Sequence, residues 1–182
     1  MKKLGLILIA TLIFGMITSA SALTVSPKFS YIGYLGIGCE FSPLTKITPD
    51  VDLMAEVNWD FVGWAGSSGY IYGELNAVYN AKPFKMGEGK QAMPLDPYVG
   101  GGLIYGFPMG SADWSGSLSG GIGFAIFGGV TGKMDPYTWY GQLKYGYAPL
   151  TWKWSTGIWG IPGESTHNAL GVGMEWGVRF PL

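Results

Sequence analysis

The chain has 182 residues and a formal net charge of −1 at pH 7. Its charged residues amount to 13%, against roughly 25% in ordinary soluble domains, whereas glycine (31 residues) and aromatic residues (15%) are abundant. So little charge cannot coat the surface of a soluble domain of this size, and the near-neutral balance offers no basic surface to nucleic acid. The single cysteine, Cys39, excludes an internal disulfide.

Residues 1–22 have the pattern of a secretory signal peptide. A positively charged start is followed by the apolar run Leu4–Ile17 and by the small residues Ala20-Ser21-Ala22. The apolar run has 14 residues, and a membrane-spanning helix needs about 20. We therefore expect cleavage after Ala22, export through the periplasm, and a single mature domain over residues 23–182.

Eight segments of the chain alternate between apolar residues and polar or small residues. Because successive side chains of a strand point to opposite faces, this period of two predicts strands that each have one apolar face. In chain order the predicted strands are Phe29–Phe41, Val51–Phe61, Gly69–Ala81, Tyr98–Phe107, Ser117–Val130, Tyr137–Ala148, Leu150–Trp159 and Asn168–Phe180.

The connections between these strands are indicated by proline, glycine and polar residues. Ser42–Pro49 carries two prolines, and Lys82–Pro97 is the longest polar stretch between strands. We expect both to be loops, and Lys82–Pro97 to be the best candidate surface for contact with a partner. In the seventh strand the alternation breaks at Gly157–Trp159, where a β-bulge would restore it.

Val51–Phe61 shows the two faces most clearly, with Val57 and Trp59 on one side and Glu56 on the other. This pattern alone fits either a soluble barrel with its apolar face inward or an outer-membrane barrel with that face toward lipid. The second face of Ser117–Val130 is small and neutral, which favours a narrow lumen over a water-exposed surface. We therefore predict an all-β fold, an eight-stranded antiparallel up-and-down transmembrane β-barrel. A soluble lipocalin-like binder of an apolar ligand is an alternative.

Aromatic residues stand near the ends of the apolar faces. Amphipathic rings of this kind form girdles at the two lipid–water boundaries of outer-membrane barrels. The candidate girdle residues are Trp59, Phe61, Tyr105, Phe107, Trp139, Tyr145, Tyr147, Trp176 and Phe180.

Two stretches point to a known family. One is Pro97–Leu103, at the start of the fourth predicted strand, and the other is the last strand, where Val172, Met174, Trp176, Val178 and Phe180 occupy every second position. Through the signal peptide, the eight alternating segments and these two stretches, the chain resembles the small eight-stranded outer-membrane barrels of the OmpA/OmpX type. The resemblance implies a place in the bacterial outer membrane, contact with its lipid, and recognition of the last strand by the barrel-assembly machinery. Pro181-Leu182 extend past the terminal aromatic residue, which departs from the family's pattern.

Several charged residues fall on the inward faces of the predicted strands. They are Glu56, Glu74, Lys144, Lys153, Glu175 and Arg179. Because buried charges must be paired, we expect an ion-pair network of the three glutamates with the two lysines, and Arg179 nearer the periplasmic end. Such a network would plug the lumen, which in an eight-stranded barrel has room for side chains only. We expect a structural or surface-interaction role, without enzymatic activity, cofactor or metal ion.

A lipid-modifying hydrolase is the other alternative. Ser165, His167 and Glu175 are residue types that could form a hydrolytic site, and His167 is the only histidine. The stretch His167-Asn168-Ala169, with Glu175 beyond it, resembles the outer-membrane lipid A deacylases. Serine is missing, however, from the place where that motif carries its nucleophile.

Overall fold

The computed structural model describes residues 23–32, 35–62, 68–87, 92–109, 116–154 and 162–182. The predicted signal peptide lies outside these ranges, as does the predicted bulge at Gly157–Trp159. Within the described ranges, no helix is long and apolar enough to cross a membrane.

The described residues form twelve strands, most of which belong to one sheet. Their bounds are β1 Thr24–Ile32, β2 Leu35–Thr48, β3 Val51–Val62, β4 Ser68–Asn80, β5 Phe84–Met86, β6 Met93–Met109, β7 Gly116–Gly120, β8 Ile122–Met134, β9 Tyr137–Tyr147, β10 Pro149–Trp154, β11 Gly163–Asn168 and β12 Val172–Pro181. Eight of them pair antiparallel in the order β1-β2-β3-β4-β6-β8-β9-β12, and β12 pairs back with β1. This closed wall confirms the predicted all-β, eight-stranded antiparallel barrel.

The stagger of the strands follows from their register. When the paired residue on each neighbouring strand is followed from Phe29 across β2, β3 and β4, the path reaches Phe107 on β6. When the paired residues are followed from Phe29 in the opposite direction around the barrel, across β12, β9 and β8, the path reaches Pro97 on the same strand, β6. The offset of ten residues between Phe107 and Pro97 is the shear of the barrel. With eight strands, this shear corresponds to a tilt of about 40° and a backbone radius of about 8 Å.

Three strands prolong the wall at one end. β7, β10 and β11 continue β8, β9 and β12 past short interruptions, and they pair with each other in the order β11-β10-β7. We call this end the extended rim. The opposite end is the terminal rim, where the backbone N–H of Leu182 donates to the carbonyl of Leu23 (3.1 Å) and where the two-residue turns 49–50 and 135–136 lie.

The predicted bounds of three strands are wrong, although their number is right. Phe29–Phe41 contains the end of β1 and the start of β2, so it is two strands. The sequence pattern does not reveal the boundary between these two strands, because Tyr31 pairs with Leu35 and this even offset leaves the odd-numbered residues outward on both strands. Conversely, two of the predicted strands, Tyr137–Ala148 and Leu150–Trp159, do not pair with each other. Their described parts, β9 and β10, lie end to end, because β10 continues in the direction of β9.

The two predicted loops also differ from the structure. Ser42–Pro49 is mostly strand, because β2 continues to Thr48 and accommodates Pro43 where its register with β3 shifts between Phe41 and Thr45. A proline is tolerated at such an irregularity because no ladder hydrogen bond is required there. Part of Lys82–Pro97 is a hairpin, in which β5 pairs with the first residues of β6 at the terminal rim.

The two faces of the wall are opposite in character. Outward side chains are apolar and open, with Phe29, Leu103, Ile122, Leu143 and Val172 exposing between 54% and 75% of their surface. Charged and amide side chains are buried in the lumen. A soluble binder of an apolar ligand requires the reverse arrangement, so that alternative is wrong.

Candidate functional site in the barrel interior

Five charged side chains meet at mid-height in the lumen, and none of them is accessible to solvent. We call Lys28, Glu56, Glu74, Lys144 and Glu175 the central cluster. The Nζ of Lys144 lies 2.5 Å from Oε1 of Glu74 and 2.9 Å from Oε2 of Glu56. It also lies 3.4 Å from Oε2 of Glu175. Lys28 pairs with Glu56, and its Nζ lies 3.1 Å from Oε1 of Glu175.

The central cluster connects distant parts of the wall. Its members come from β1, β3, β4, β9 and β12, five of the eight barrel strands. With a shear of ten residues, these positions fall at one height on the barrel axis, although they are far apart in sequence. The charges therefore cross-link the barrel through its interior.

Amide and hydroxyl groups satisfy further oxygens of the glutamates. Asn76 donates from Nδ2 to Oε2 of Glu74 (3.0 Å), and Gln142 donates from Nε2 to Oε2 of Glu175 (2.5 Å). The hydroxyl of Tyr98 in turn donates to Oε1 of Gln142 (2.8 Å). Buried charges are stable only when such additional hydrogen bonds accompany the ion pairs, so these side chains are part of the site.

A second ion pair lies nearer the terminal rim. Arg179 Nε lies 2.6 Å from Oε1 of Glu40, and the guanidinium stacks 4.8 Å from the ring centre of Tyr140 and 5.7 Å from that of Tyr98. A polar recess of about 210 Å³ opens beside it and is lined by Asp52 and Arg179 among others. None of its lining residues belongs to the central cluster.

Apolar clusters cover the central cluster on both sides. Toward the extended rim lie Ile32, Tyr70, Tyr72, Ile104, Ala125, Ala148, Ala169 and Leu170, all buried. Toward the terminal rim lie Met54, Val78, Tyr98 and Phe127. The charges are thus enclosed in a low-dielectric interior, where pairing is strongly favoured over separation.

The structure brings together four of the six residues predicted for the network, namely Glu56, Glu74, Lys144 and Glu175. The predicted position of Lys153 is wrong, because Lys153 lies on β10 beyond the lumen and pairs with Glu164 at 3.0 Å, with both side chains more than half exposed. Arg179 is inside the barrel, but its partner is Glu40.

Sequence reasoning missed Lys28 and Glu40. The predicted first strand begins at Phe29 and therefore leaves out Lys28, although Ser26, Lys28 and Ser30 continue the same alternation. Glu40 lies on the inward face of β2, as the alternation indicates, but its pairing with Arg179 joins residues 139 positions apart. Only the closure of the barrel brings those two together.

The residues of the hydrolase alternative are only partly assembled. Ser165 Oγ lies 2.7 Å from Nε2 of His167 on β11. Glu175, however, is held in the central cluster by Lys28 and Lys144. In the part of the chain that the structure describes, no carboxylate forms a hydrogen bond or an ion pair with His167.

The predicted girdle residues lie on the outward face of the wall. Trp59, Phe61, Tyr105, Tyr145, Tyr147, Trp176 and Phe180 are exposed, whereas Phe107 and Trp139 are partly buried. Some of these rings form outward pairs, with 4.9 Å between the ring centres of Trp59 and Phe61 and likewise between Tyr137 and Phe180.

An apolar exterior, a closed wall of eight strands and a charged interior define the class of fold. The fold is that of the eight-stranded outer-membrane barrels of the OmpA type, as the sequence predicted. Among solved structures, the chain is similar to the N-terminal β-barrel domain of OprF from Pseudomonas aeruginosa, with a TM-score of 0.59 and 14% sequence identity over 88% of this chain and 97% of that domain. At this identity the likeness shows the fold alone. No family model and no curated protein matches the sequence.

Proposed function

We propose that the chain is an integral protein of the bacterial outer membrane whose barrel does not conduct ions and acts as a rigid support for the structures at its extended rim. The observation that carries the proposal is the central cluster, sealed between two apolar clusters inside a wall that is apolar outside. The proposed role is structural or surface-interacting. The absence of enzymatic activity stays a prediction.

The outward face supports insertion into lipid. Large apolar side chains cover the outward face of every barrel strand. In water this apolar surface would stay exposed, which is unfavourable, whereas insertion into lipid removes it from water.

The candidate girdle residues lie at different heights along the barrel axis. Trp59, Phe61, Tyr105, Phe107 and Tyr147 lie toward the extended rim, Trp139 and Phe180 toward the terminal rim, and Tyr145 and Trp176 between the two groups. Two groups of aromatic residues near opposite ends match the boundaries of an apolar band.

The lengths of the connections support an orientation. Outer-membrane barrels have short periplasmic turns and longer extracellular loops, and the turns 49–50 and 135–136 at the terminal rim have two residues each. We therefore place the terminal rim in the periplasm and the extended rim outside the cell. In this orientation Lys82–Pro97 lies on the periplasmic side, so it is no longer the candidate surface for contact outside the cell.

The three-stranded extension takes its place as the candidate contact surface. One face of the extension is hydrophilic and is formed by Ser117, Ser119, Thr151, Lys153, Glu164 and Thr166. This face carries the exposed ion pair between Lys153 and Glu164, as expected for a wall that has left the lipid. Residues 1–22 would direct export, and β12 would be the strand that the assembly machinery recognises.

The proposal predicts the outcome of a conductance measurement. Purified, refolded protein that shows heat-modifiable mobility on a gel should give no large, stable unit conductance in a planar lipid bilayer, because the central cluster fills the lumen. The same protein should remain with the outer-membrane fraction of cells. Large and stable unit conductance would contradict the closed lumen, whereas release into the soluble periplasmic fraction without detergent would contradict membrane insertion itself.

A further inference from the structure

An acid and a guanidinium line the same recess at the terminal rim, but they do not pair with each other. The recess of about 210 Å³ is lined by Asp52 of β3 and Arg179 of β12. Ser42, Asn80 and Thr138 also line it and add an amide and two hydroxyl groups, which can both donate and accept hydrogen bonds. The recess therefore presents two opposite charges among small polar side chains.

Asp52 keeps an acceptor oxygen that has no donor. Its Oδ2 accepts a hydrogen bond from Nδ2 of Asn80 (2.6 Å), whereas its Oδ1 has no hydrogen-bond partner. Lys46 lies opposite Asp52 on β2, but within the described ranges no ion pair joins the acid to this lysine or to Arg179. The carboxylate can thus accept a further donor from the recess.

Arg179 keeps most of its donors. A guanidinium carries five N–H donors in one plane, and Glu40 accepts from the donor at Nε. The rings of Tyr98 and Tyr140 stack against the guanidinium and hold its plane, and Tyr98 lines the recess as well. Because 16% of the Arg179 side chain is exposed, the guanidinium can bind a second carboxylate in addition to Glu40.

We propose that this recess binds a small zwitterion, a free α-amino acid, whose carboxylate accepts from Arg179 and whose ammonium group donates to Asp52. A ligand with only a negative charge would be repelled by Asp52 and Glu40, and a ligand with only a positive charge by Arg179. A zwitterion provides an opposite charge for each of the two recess residues. The recess is smaller than the roughly 300–1,000 Å³ of sites for drug-sized ligands, so its volume selects a small molecule.

The proposed orientation of the barrel decides only the side from which the ligand enters. If the terminal rim lies in the periplasm, the amino acid comes from there. Binding by the purified barrel does not depend on the orientation. A failure of the orientation and a failure of the binding site are therefore distinguishable.

Three probes separate the two charges of the ligand. The isotopically labelled barrel in lipid nanodiscs is titrated with L-alanine, with N-acetyl-L-alanine, which lacks the ammonium group, and with L-alaninamide, which lacks the carboxylate. L-alanine should shift the amide resonances of Ser42 and Thr138 in a saturable manner. The other two probes should bind at least about tenfold more weakly, because each leaves one charged side chain without its partner.

Two outcomes of this titration would contradict the proposed site. The absence of a saturable shift with L-alanine would overturn binding at the recess. Equal affinities for the three probes would overturn the zwitterion as the class of ligand.

The same substitution at two nearby aspartates tests the assignment of Asp52. Asp52→Asn keeps the shape of the side chain and should weaken the binding of L-alanine at least about tenfold. Asp50→Asn is the matched control and should leave the affinity unchanged, because Asp50 lies in the exposed turn 49–50 and does not line the recess. Heat-modifiable mobility demonstrates that both variants fold. An unchanged affinity in Asp52→Asn, or an equal loss in both variants, would overturn the role of Asp52.

Discussion

Lys144 is the side chain with the most ionic partners in the described interior. Its ammonium group contacts three glutamates from three strands and lies 5.8 Å from the centre of the Phe127 ring. Truncation of one partner in such a cluster leaves charges that are buried and uncompensated, which is far more unfavourable than the loss of one attraction.

The same substitution at two lysines tests this difference. Lys144→Met should lower the free energy of unfolding by about 3–5 kcal/mol, because the three glutamates lose a shared cation in a buried site. Lys153→Met is the matched control and should change it by less than about 1 kcal/mol, because its pair with Glu164 is exposed to solvent. Urea titration of the barrel in lipid vesicles, followed by heat-modifiable mobility, measures both. Equal effects at the two positions would mean that the burial of the cluster does not determine its contribution to the free energy of unfolding.

At the scale of a single strand, small residues allow neighbouring strands to approach each other closely in a narrow barrel. Gly102 on β6 faces β4 so closely that a Cβ would overlap the carbonyl oxygen of Leu75 and the side chain of Asn76. Gly141 on β9 has no atom within 4 Å of the corresponding position. Close contact with β4 therefore requires glycine at position 102, whereas no such contact requires it at position 141, although the sequence alone does not distinguish the two glycines.

Alanine at these two positions should have opposite effects. Gly102→Ala should destabilise the barrel by about 1–3 kcal/mol, because the added methyl group overpacks the β4–β6 contact. Gly141→Ala should be neutral or stabilise by up to about 1 kcal/mol, because alanine restricts the unfolded chain and fits the open outward face. Denaturant midpoints of the two variants in the same vesicles provide the comparison. A destabilised Gly141→Ala with an unchanged Gly102→Ala would show that close contact is not what selects glycine on β6.

At the scale of the whole molecule, closure of the wall removes free strand edges and makes the two rims distinct. The terminal rim has both described ends of the chain and short turns, and the extended rim has three strands that continue beyond the apolar band. This asymmetry is the basis of the proposed orientation.

Labelling of single cysteines on whole cells tests the orientation. Cys39 is the only native cysteine, so Cys39→Ser provides a background without thiols. In that background Thr166→Cys on β11 should react with a membrane-impermeant maleimide on intact cells. Asp135→Cys, in an exposed turn at the terminal rim, should react only after the cells are lysed. The opposite pattern would place the terminal rim outside the cell.

The sequence by itself determined the class of fold and the character of the two faces. Alternation at a period of two does not depend on which strands become neighbours, so residues such as Glu56 and Val57 are assigned to opposite faces of the wall before any topology is known. The scarcity of charge and the small second face of Ser117–Val130 then indicate which face meets lipid.

Only the tertiary structure decided where the strands end and which charges meet. An even register offset preserves the alternation across the end of β1 and the start of β2, so the pattern hides the boundary between these two strands. Conversely, the short interruption at Ala148 between β9 and β10 has the sequence pattern of a connection between neighbouring strands. Partners in the lumen are set by the shear and closure of the barrel, which bring Lys28 of β1 to the height of Glu56 and Glu175 and carry Lys153 beyond the lumen. Shear is a property of the closed sheet as a whole, and for that reason no single segment of the sequence encodes it.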